Sequence, residues 1–228
     1  MKHFFDTEYE NLRRHIITMG TEVEQQVYRS IEAALNFDER LADQVIAKDN
    51  DIDKMEIEND DLCVRLFAKL QPIASDLRFI TSVIKINNDF ERISDQAVSI
   101  ARHTLYLVSR PRLVVDLVPM ATLAKDMVHR TVDALVNNNT DFAENVLLLE
   151  ERMDKFEVEY TSQIVSIMKE DPKNIKRGIS LLFITRCLER IGDLSTNIAE
   201  DIVFYTKAKD IRHLHPDTSS RSHNMECL

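Results

Sequence analysis

Glu91-Arg92-Ile93-Ser94-Asp95 returns 98 residues later as Glu189-Arg190-Ile191-Gly192-Asp193. A self-match at that distance predicts one structural unit used twice. Outward from the pentads the match continues. Asp53-Lys54-Met55-Glu56-Ile57-Glu58 pairs with Asp154-Lys155-Phe156-Glu157-Val158-Glu159 at an offset of 101, and Ala33-Ala34-Leu35 with Asp133-Ala134-Leu135 at 100. Small insertions and deletions in turns account for the drift of the offset.

The periodicity around each pentad is helical. Ile86, Phe90, Ile93, Ala97 and Ile100 recur at three- and four-residue steps, as do Ile184, Leu188, Ile191, Ser195 and Ile198. Each set predicts one buried stripe on a long helix. The chain-breakers then divide the sequence: Asn36-Phe37-Asp38, Leu70-Gln71-Pro72, Ser109-Arg110-Pro111, Asn137 to Asp141, and Asp171-Pro172. Thr140 or Asp141 is the expected N-cap after the asparagine run, and Asp171-Pro172 the expected cap and first position of the last helix. The result is an all-α chain of six helices, several near 30 residues or roughly 45 Å long. Three helices form each half. The fold expected is two tandem three-helix bundles, residues 1–110 and 111–211, followed by a disordered tail at 212–228.

Composition agrees. The 228 residues are 44% hydrophobic with only 3 Gly, 5 Pro and no Trp. So few breakers leave little room for the tight turns of an all-β fold. The net charge of −10 and the absence of a long basic run argue against a nucleic-acid partner. Cys63, Cys187 and Cys227 are odd in number and far apart, so reduced thiols in the cytoplasm are expected rather than a disulfide frame or a CxxC metal site. No signal peptide and no long apolar run is visible. Membrane association is expected only through partners.

The acids carry the functional clue. At about 100° per residue, Glu91 and Asp95 lie within roughly 40° of each other and away from the apolar stripe; Glu189 and Asp193 do the same. Like charges at this spacing repel by roughly a few tenths of a kcal/mol. Two carboxylates on adjacent turns can hold a hard cation, and oxygen ligands suit Mg²⁺, Mn²⁺ and iron. The bland alternative is a solvated acidic face paired with Arg92 or Arg190. The same ridge continues through Ser99 and His103 in one half and Asn197 and Asp201 in the other, and each of the four could contribute a ligand or bind a coordinated water. Asp53/Glu56 and Asp154/Glu157 stand where the second helix of each bundle can complete a site, or pair with Lys54 and Lys155. A di-iron bundle site is not indicated, because the chain has no Glu-x-x-His. Its two Asp-x-x-His matches, Asp126/His129 and Asp210/His213, are unrelated by the repeat.

With both pentads, the segment Gln71-Pro72-Ile73-Ala74-Ser75-Asp76-Leu77-Arg78 and the hundred-residue repeat, the chain resembles the PhoU family from about Phe5 to Lys207. The resemblance implies a cytoplasmic negative regulator of the phosphate-starvation response, linking the ATPase of a phosphate ABC transporter to a sensor histidine kinase. It also implies a homodimer, and metal bound through E(D)xxxD motifs. By that pattern Glu91, Asp95, Glu189 and Asp193 would be the ligands of iron, zinc, manganese, magnesium or nickel, with a weaker carry-over to Asp53, Glu56, Asp154 and Glu157. The second half departs from the pattern, with Asp171-Pro172-Lys173 in place of the fuller segment of the first.

Three functions compete on these residues. One is a regulatory adaptor that is not an enzyme. Another is a metal-dependent hydrolase or oxidoreductase using carboxylate-bound ions. The third is a metal-free helical scaffold. No glycine-rich phosphate loop is present, since Gly20, Gly178 and Gly192 are isolated. Apolar residues on two sides of the third helix, Ile80/Ile84 opposite Ile93/Ile100, add to the expectation of a dimer.

Overall fold

The computed structural model describes residues 2–70, 73–113 and 115–212. Its order is α1 (Lys2–Asn36), α2 (Glu39–Ala47), α3 (Asp49–Leu70), α4 (Ala74–Val108), α5 (Val118–Asn137), α6 (Thr140–Leu147), α7 (Glu150–Glu170), a single 3₁₀ turn (Pro172–Asn174) and α8 (Ile175–Lys207). These are the six long segments of the repeat, with the second segment of each half in two pieces: α2–α3 and α6–α7. No Gly or Pro marks either break. Lys48 and Leu148 keep right-handed helical dihedrals there, so the chain only bends.

The turns that open those second segments obey the repeat. Phe37 and Asn138, 101 positions apart, both adopt a left-handed backbone with φ of 57° and 49°. The next residue then bonds back five positions, Asp38 N to Ala33 O at 3.0 Å and Asn139 N to Ala134 O at 3.1 Å. That closes one helix in the Schellman manner. The same residue caps the next helix: Asp38 accepts from Leu41 N and Asn139 from Asp141 N. The N-cap expected at Thr140 or Asp141 is therefore Asn139, because the left-handed position falls on Asn138. Asp171 accepts from Lys173 N at 2.9 Å, with Pro172 at the first position as expected. Gln71 and Pro72 of the sequence motif, and residues 213–228 of the expected tail with His213, lie outside the described residues.

The helices pack as the stripes require. Ile86, Phe90, Ile93, Ala97 and Ile100 are fully buried, and Ile191, Ser195 and Ile198 likewise. Ser195 satisfies its hydroxyl by donating to Ile191 O at 2.7 Å. Burial of each large side chain is worth about 1.5–3 kcal/mol. On α1, Leu12, Ile16, Met19, Val23 and Val27 complete the first core. Gly20 lets α1 approach: a Cβ there would sit 2.8 Å from the Phe90 ring.

The two halves join along α4 and α8, which form the largest helix–helix contact. They run antiparallel, with Lys85 on Asp201 at 3.0 Å at one end and His103 stacked on Phe183 at 4.6 Å at the other. Those two contacts exchange under the 98-residue repeat, so the halves are related by an internal two-fold across this seam. A second join links α1 to α5, where Glu24 bonds His129 at 2.7 Å. Between α1, α4, α5 and α8, and bordered by Leu113, Val115 and Leu117, lies an apolar cavity of about 80 Å³. Among the described residues no helix is long and apolar enough to cross a membrane.

Candidate metal centres on two helical hairpins

Each repeated pentad faces the helix before it. In the first half α3 runs antiparallel to α4, which brings Asp49, Asp53 and Glu56 to Glu91 and Asp95. Their fields are mutual. Burial, then Asp95, Glu56, Asp53 and Asp49, push Glu91 up to about 7. Glu56 is raised by burial, Asp60 and Asp53, against a bond from Asn88. Asp49 is raised by burial, Asp53 and Asp95, against Arg102. Such shifts mean that carboxylates crowd a partly dry site without enough positive charge, a pattern common at functional sites.

A buried amide pair fixes this hairpin. Asn59 donates to Asn87 Oδ1 at 2.8 Å, and Asn87 donates to Glu56 O at 2.9 Å and to Asp60 Oδ1 at 3.1 Å. Both asparagines are 1% exposed. The network sets the register of α3 on α4 and directs Asp60 toward the same site.

In the second half Asp154 and Glu157 of α7 meet Glu189 and Asp193 of α8. Burial first, then Asp193, Glu157 and Asp154, push Glu189 up to about 7, with Arg190 opposing. Asp154, Glu189 and Asp193 each offer an oxygen, and the three oxygens lie within 4.8 Å of one another. Among the described residues this is the one group of three or more metal-competent side chains that converges so closely. The donor set is all carboxylate, which fits a hard or borderline divalent cation.

The arginines of the two pentads behave differently. Arg190 pairs with Asp193 at 3.4 Å, whereas Arg92 turns to Asp89 at 3.0 Å, leaving the first pentad. Thr161 donates to Glu157 at 3.3 Å, at the repeat position of Asp60.

The structure does not bring the ridge extension to the acids of either hairpin. Asp201 lies two turns beyond Asp193, is 6% exposed and pairs with Lys85 across the seam. Ser99 bonds the Cys187 thiol and His103 stacks on Phe183, its imidazole lowered by burial. Asn197 is exposed one turn past Asp193. These four ride on α4 and α8 at positions that the helix rotation carries toward the seam or solvent. Conversely, Asp49 and Asp60 were not singled out in the sequence. Each stands four residues from a repeated acid, Asp53 and Glu56, so the i,i+4 rule was signal enough.

A tandem all-α repeat with paired acidic hairpins defines the class, and comparison with known proteins places it. The PhoU domain matches twice, at residues 16–104 and 117–202. The phosphate-specific transport system accessory protein PhoU of Escherichia coli K12 is 36% identical over 93% of this chain and 89% of its own length. The PhoU homolog of Pseudomonas aeruginosa is 36% identical over 92% of this chain and 88% of its own. The crystal structure of PhoU from Pseudomonas aeruginosa superposes with a TM-score of 0.87, covering 90% of this chain and 100% of that one. The phosphate transport system regulatory protein PhoU from Streptococcus pneumoniae gives 0.83 at 26% identity, covering 90% and 98%. The chain belongs to the PhoU family. These relatives are named as accessory and regulatory proteins rather than as enzymes.

Proposed function

We propose that this chain is a regulator of phosphate uptake that acts as an adaptor. It joins the ATPase of a phosphate ABC transporter to a sensor histidine kinase and holds the phosphate-starvation response off when phosphate is plentiful. It works in the cytoplasm as a homodimer and reaches the membrane only through those partners. Family membership carries the phosphate role. The acidic hairpins support a bound divalent or transition metal (iron, zinc, manganese, magnesium or nickel). Asp154, Glu189 and Asp193 would hold it in the second half, with Glu157 beside them. Glu91, Asp95, Asp53 and Glu56 would hold it in the first. A bound cation would supply positive charge that neutralises these carboxylates and ties α3 to α4 and α7 to α8. The residues themselves present oxygens, exclude part of the water and fix the spacing of the two helices.

Pull-down from membranes carrying the transporter tests the adaptor. Recovery of the ATPase or the kinase with the wild-type chain is expected; recovery of neither overturns it. Light scattering tests the dimer, and a monomer mass at micromolar concentration rejects it.

A further inference from the structure

The two pentads stand in different company on their helices. In the first half Asn88 bonds Glu56, and Arg92 turns to Asp89. Their repeat mates differ in kind: Arg186 stands for Asn88 and Cys187 for Asp89. An amide has become a cation and a carboxylate a thiol. Without an acid at 187, Arg190 lies on Asp193 at 3.4 Å. Arg186 makes no ion pair among the described residues. The one exchange of opposite sign, Lys85 to Phe183, falls on the seam, where Lys85 is spent on Asp201.

These side chains line one open pocket of about 530 Å³ between α8 and α4. Glu189, Asp193, Arg186 and Arg190 form its wall on α8, where about 100° per residue brings all four within roughly 100° of the helix surface. Gln96 and Ser99 line it from α4. Glu189 and Asp193 are two of the three acids whose oxygens converge within 4.8 Å, so the candidate cation site opens on this pocket. The dimer stripe expected on α4 does not reach it: Ile80 is 1% exposed and belongs to the core, and Ile84 is not a lining residue.

A bound cation would occupy the carboxylates. The pocket then offers two guanidiniums, an amide and the charge of the cation itself. A guanidinium presents paired N–H groups that match phosphate oxygens. A hard divalent cation is readily shared between protein carboxylates and a phosphate. We infer that this pocket binds a phosphate group beside the cation of the second hairpin, held by Arg186 and Arg190 with the Gln96 amide donating from α4. Without the cation Glu189 and Asp193 repel the anion, so cation and phosphate each strengthen the binding of the other. The first half builds no such site, because Arg92 and Asn88 are already engaged.

This names the ligand of the proposed metal site and so rests on that reading. The full-length chain is loaded with Mn²⁺, freed of excess metal by gel filtration and assayed for metal content. Equilibrium dialysis then measures binding of radiolabelled inorganic phosphate, with phosphoserine as competitor. One phosphate binds per loaded chain, and binding weakens at least about tenfold when the metal is removed. The phosphorus NMR line of the ligand broadens with the loaded chain, as a neighbouring Mn²⁺ requires. Arg186→Gln weakens binding at least about tenfold with metal content unchanged, since a hydrogen-bonded charge is lost. Lys176→Gln, which removes a cation of α8 outside the pocket, leaves binding as it was. Circular dichroism confirms that both variants fold. A chain that retains no Mn²⁺ sinks the metal reading together with this one. Mn²⁺ retained without bound phosphate, or phosphate held equally well by Arg186→Gln, overturns this proposal alone. Phosphoserine that displaces inorganic phosphate at lower concentration keeps the site and makes its source a phosphorylated side chain; the reverse order makes it free phosphate.

Discussion

The two acidic hairpins share a plan and differ in how they are held. The first is braced by the buried Asn59–Asn87 pair and adds Asp60 to the repeated acids, where the second has Thr161. The second has Tyr160 and Thr185 at the matching positions. Thr185 only donates back to Leu181 O of its own helix at 3.0 Å, and Phe156 packs beside Tyr160. The first site is also the more negative, since Arg92 has left it while Arg190 remains in the second. Duplication thus preserved the carboxylate geometry, whereas the supporting contacts diverged. In one half polar bonds fix the helix register. In the other, apolar packing does.

Truncating the brace separates these two designs most strongly. Asn87→Ala removes three bonds at once and leaves Asn59 buried without its partner, so urea unfolding should show a loss of about 2–3 kcal/mol. Thr185→Ala, its repeat mate, should cost less than about 1 kcal/mol. Equal losses would mean that both hairpins are held alike.

The next effect is on pH. Glu91 and Glu189 are each pushed up to about 7 in the folded chain by burial and neighbouring carboxylates. The folded state then keeps protons that the unfolded state has released. Their stabilising contribution is complete below about pH 4.5 and is lost as pH rises through about 7. Cation-free protein should therefore be more stable near pH 5 than near pH 8, by about 1 kcal/mol per group once solvent screening is allowed for. Glu91→Gln with Glu189→Gln should flatten that slope. A stability that rises with pH over this range would contradict the crowding of acids at both sites.

Smaller effects test the other departures from the repeat. α5 has 20 residues where α1 has 35, and the cluster of Leu113, Val115 and Leu117 ahead of it borders an apolar cavity. That cavity is also lined by Ala121, and Ala121→Leu should raise stability by about 1 kcal/mol by filling it. A loss on thermal melting would show the cavity to be closed by local packing. Ser94, whose repeat mate is Gly192, buries a hydroxyl that finds no partner among the described residues. Ser94→Ala should raise stability by about 0.5 kcal/mol. A clear loss would assign that hydroxyl a bond.

Much of this was legible in the sequence because helices write their faces at fixed spacing. The stripes from Ile86 to Ile100 and Ile184 to Ile198 are the core, and Asp171-Pro172 caps where its chemistry says it should. The bends after Lys48 and Leu148 were not legible, since no breaker marks a bend that keeps helical dihedrals. The turn at Asn138 was displaced by one residue because Asn serves both as N-cap and as left-handed C-cap. At the site, the meeting of Asp53/Glu56 with Glu91 followed from the repeat. The loss of Asp201 to Lys85 did not, because that pair forms across the seam between halves, 116 residues apart, and spacing within one helix carries no record of it.

The most direct test of the central claim is calorimetric titration of metal-free protein with Mn²⁺ and Zn²⁺, followed by elemental analysis. Two classes of site are expected. Glu189→Gln with Asp193→Asn should remove one class and Glu91→Gln with Asp95→Asn the other, each with helicity intact. No bound metal in the wild type, or the same metal content in every variant, would contradict the claim that the repeated acids form cation sites.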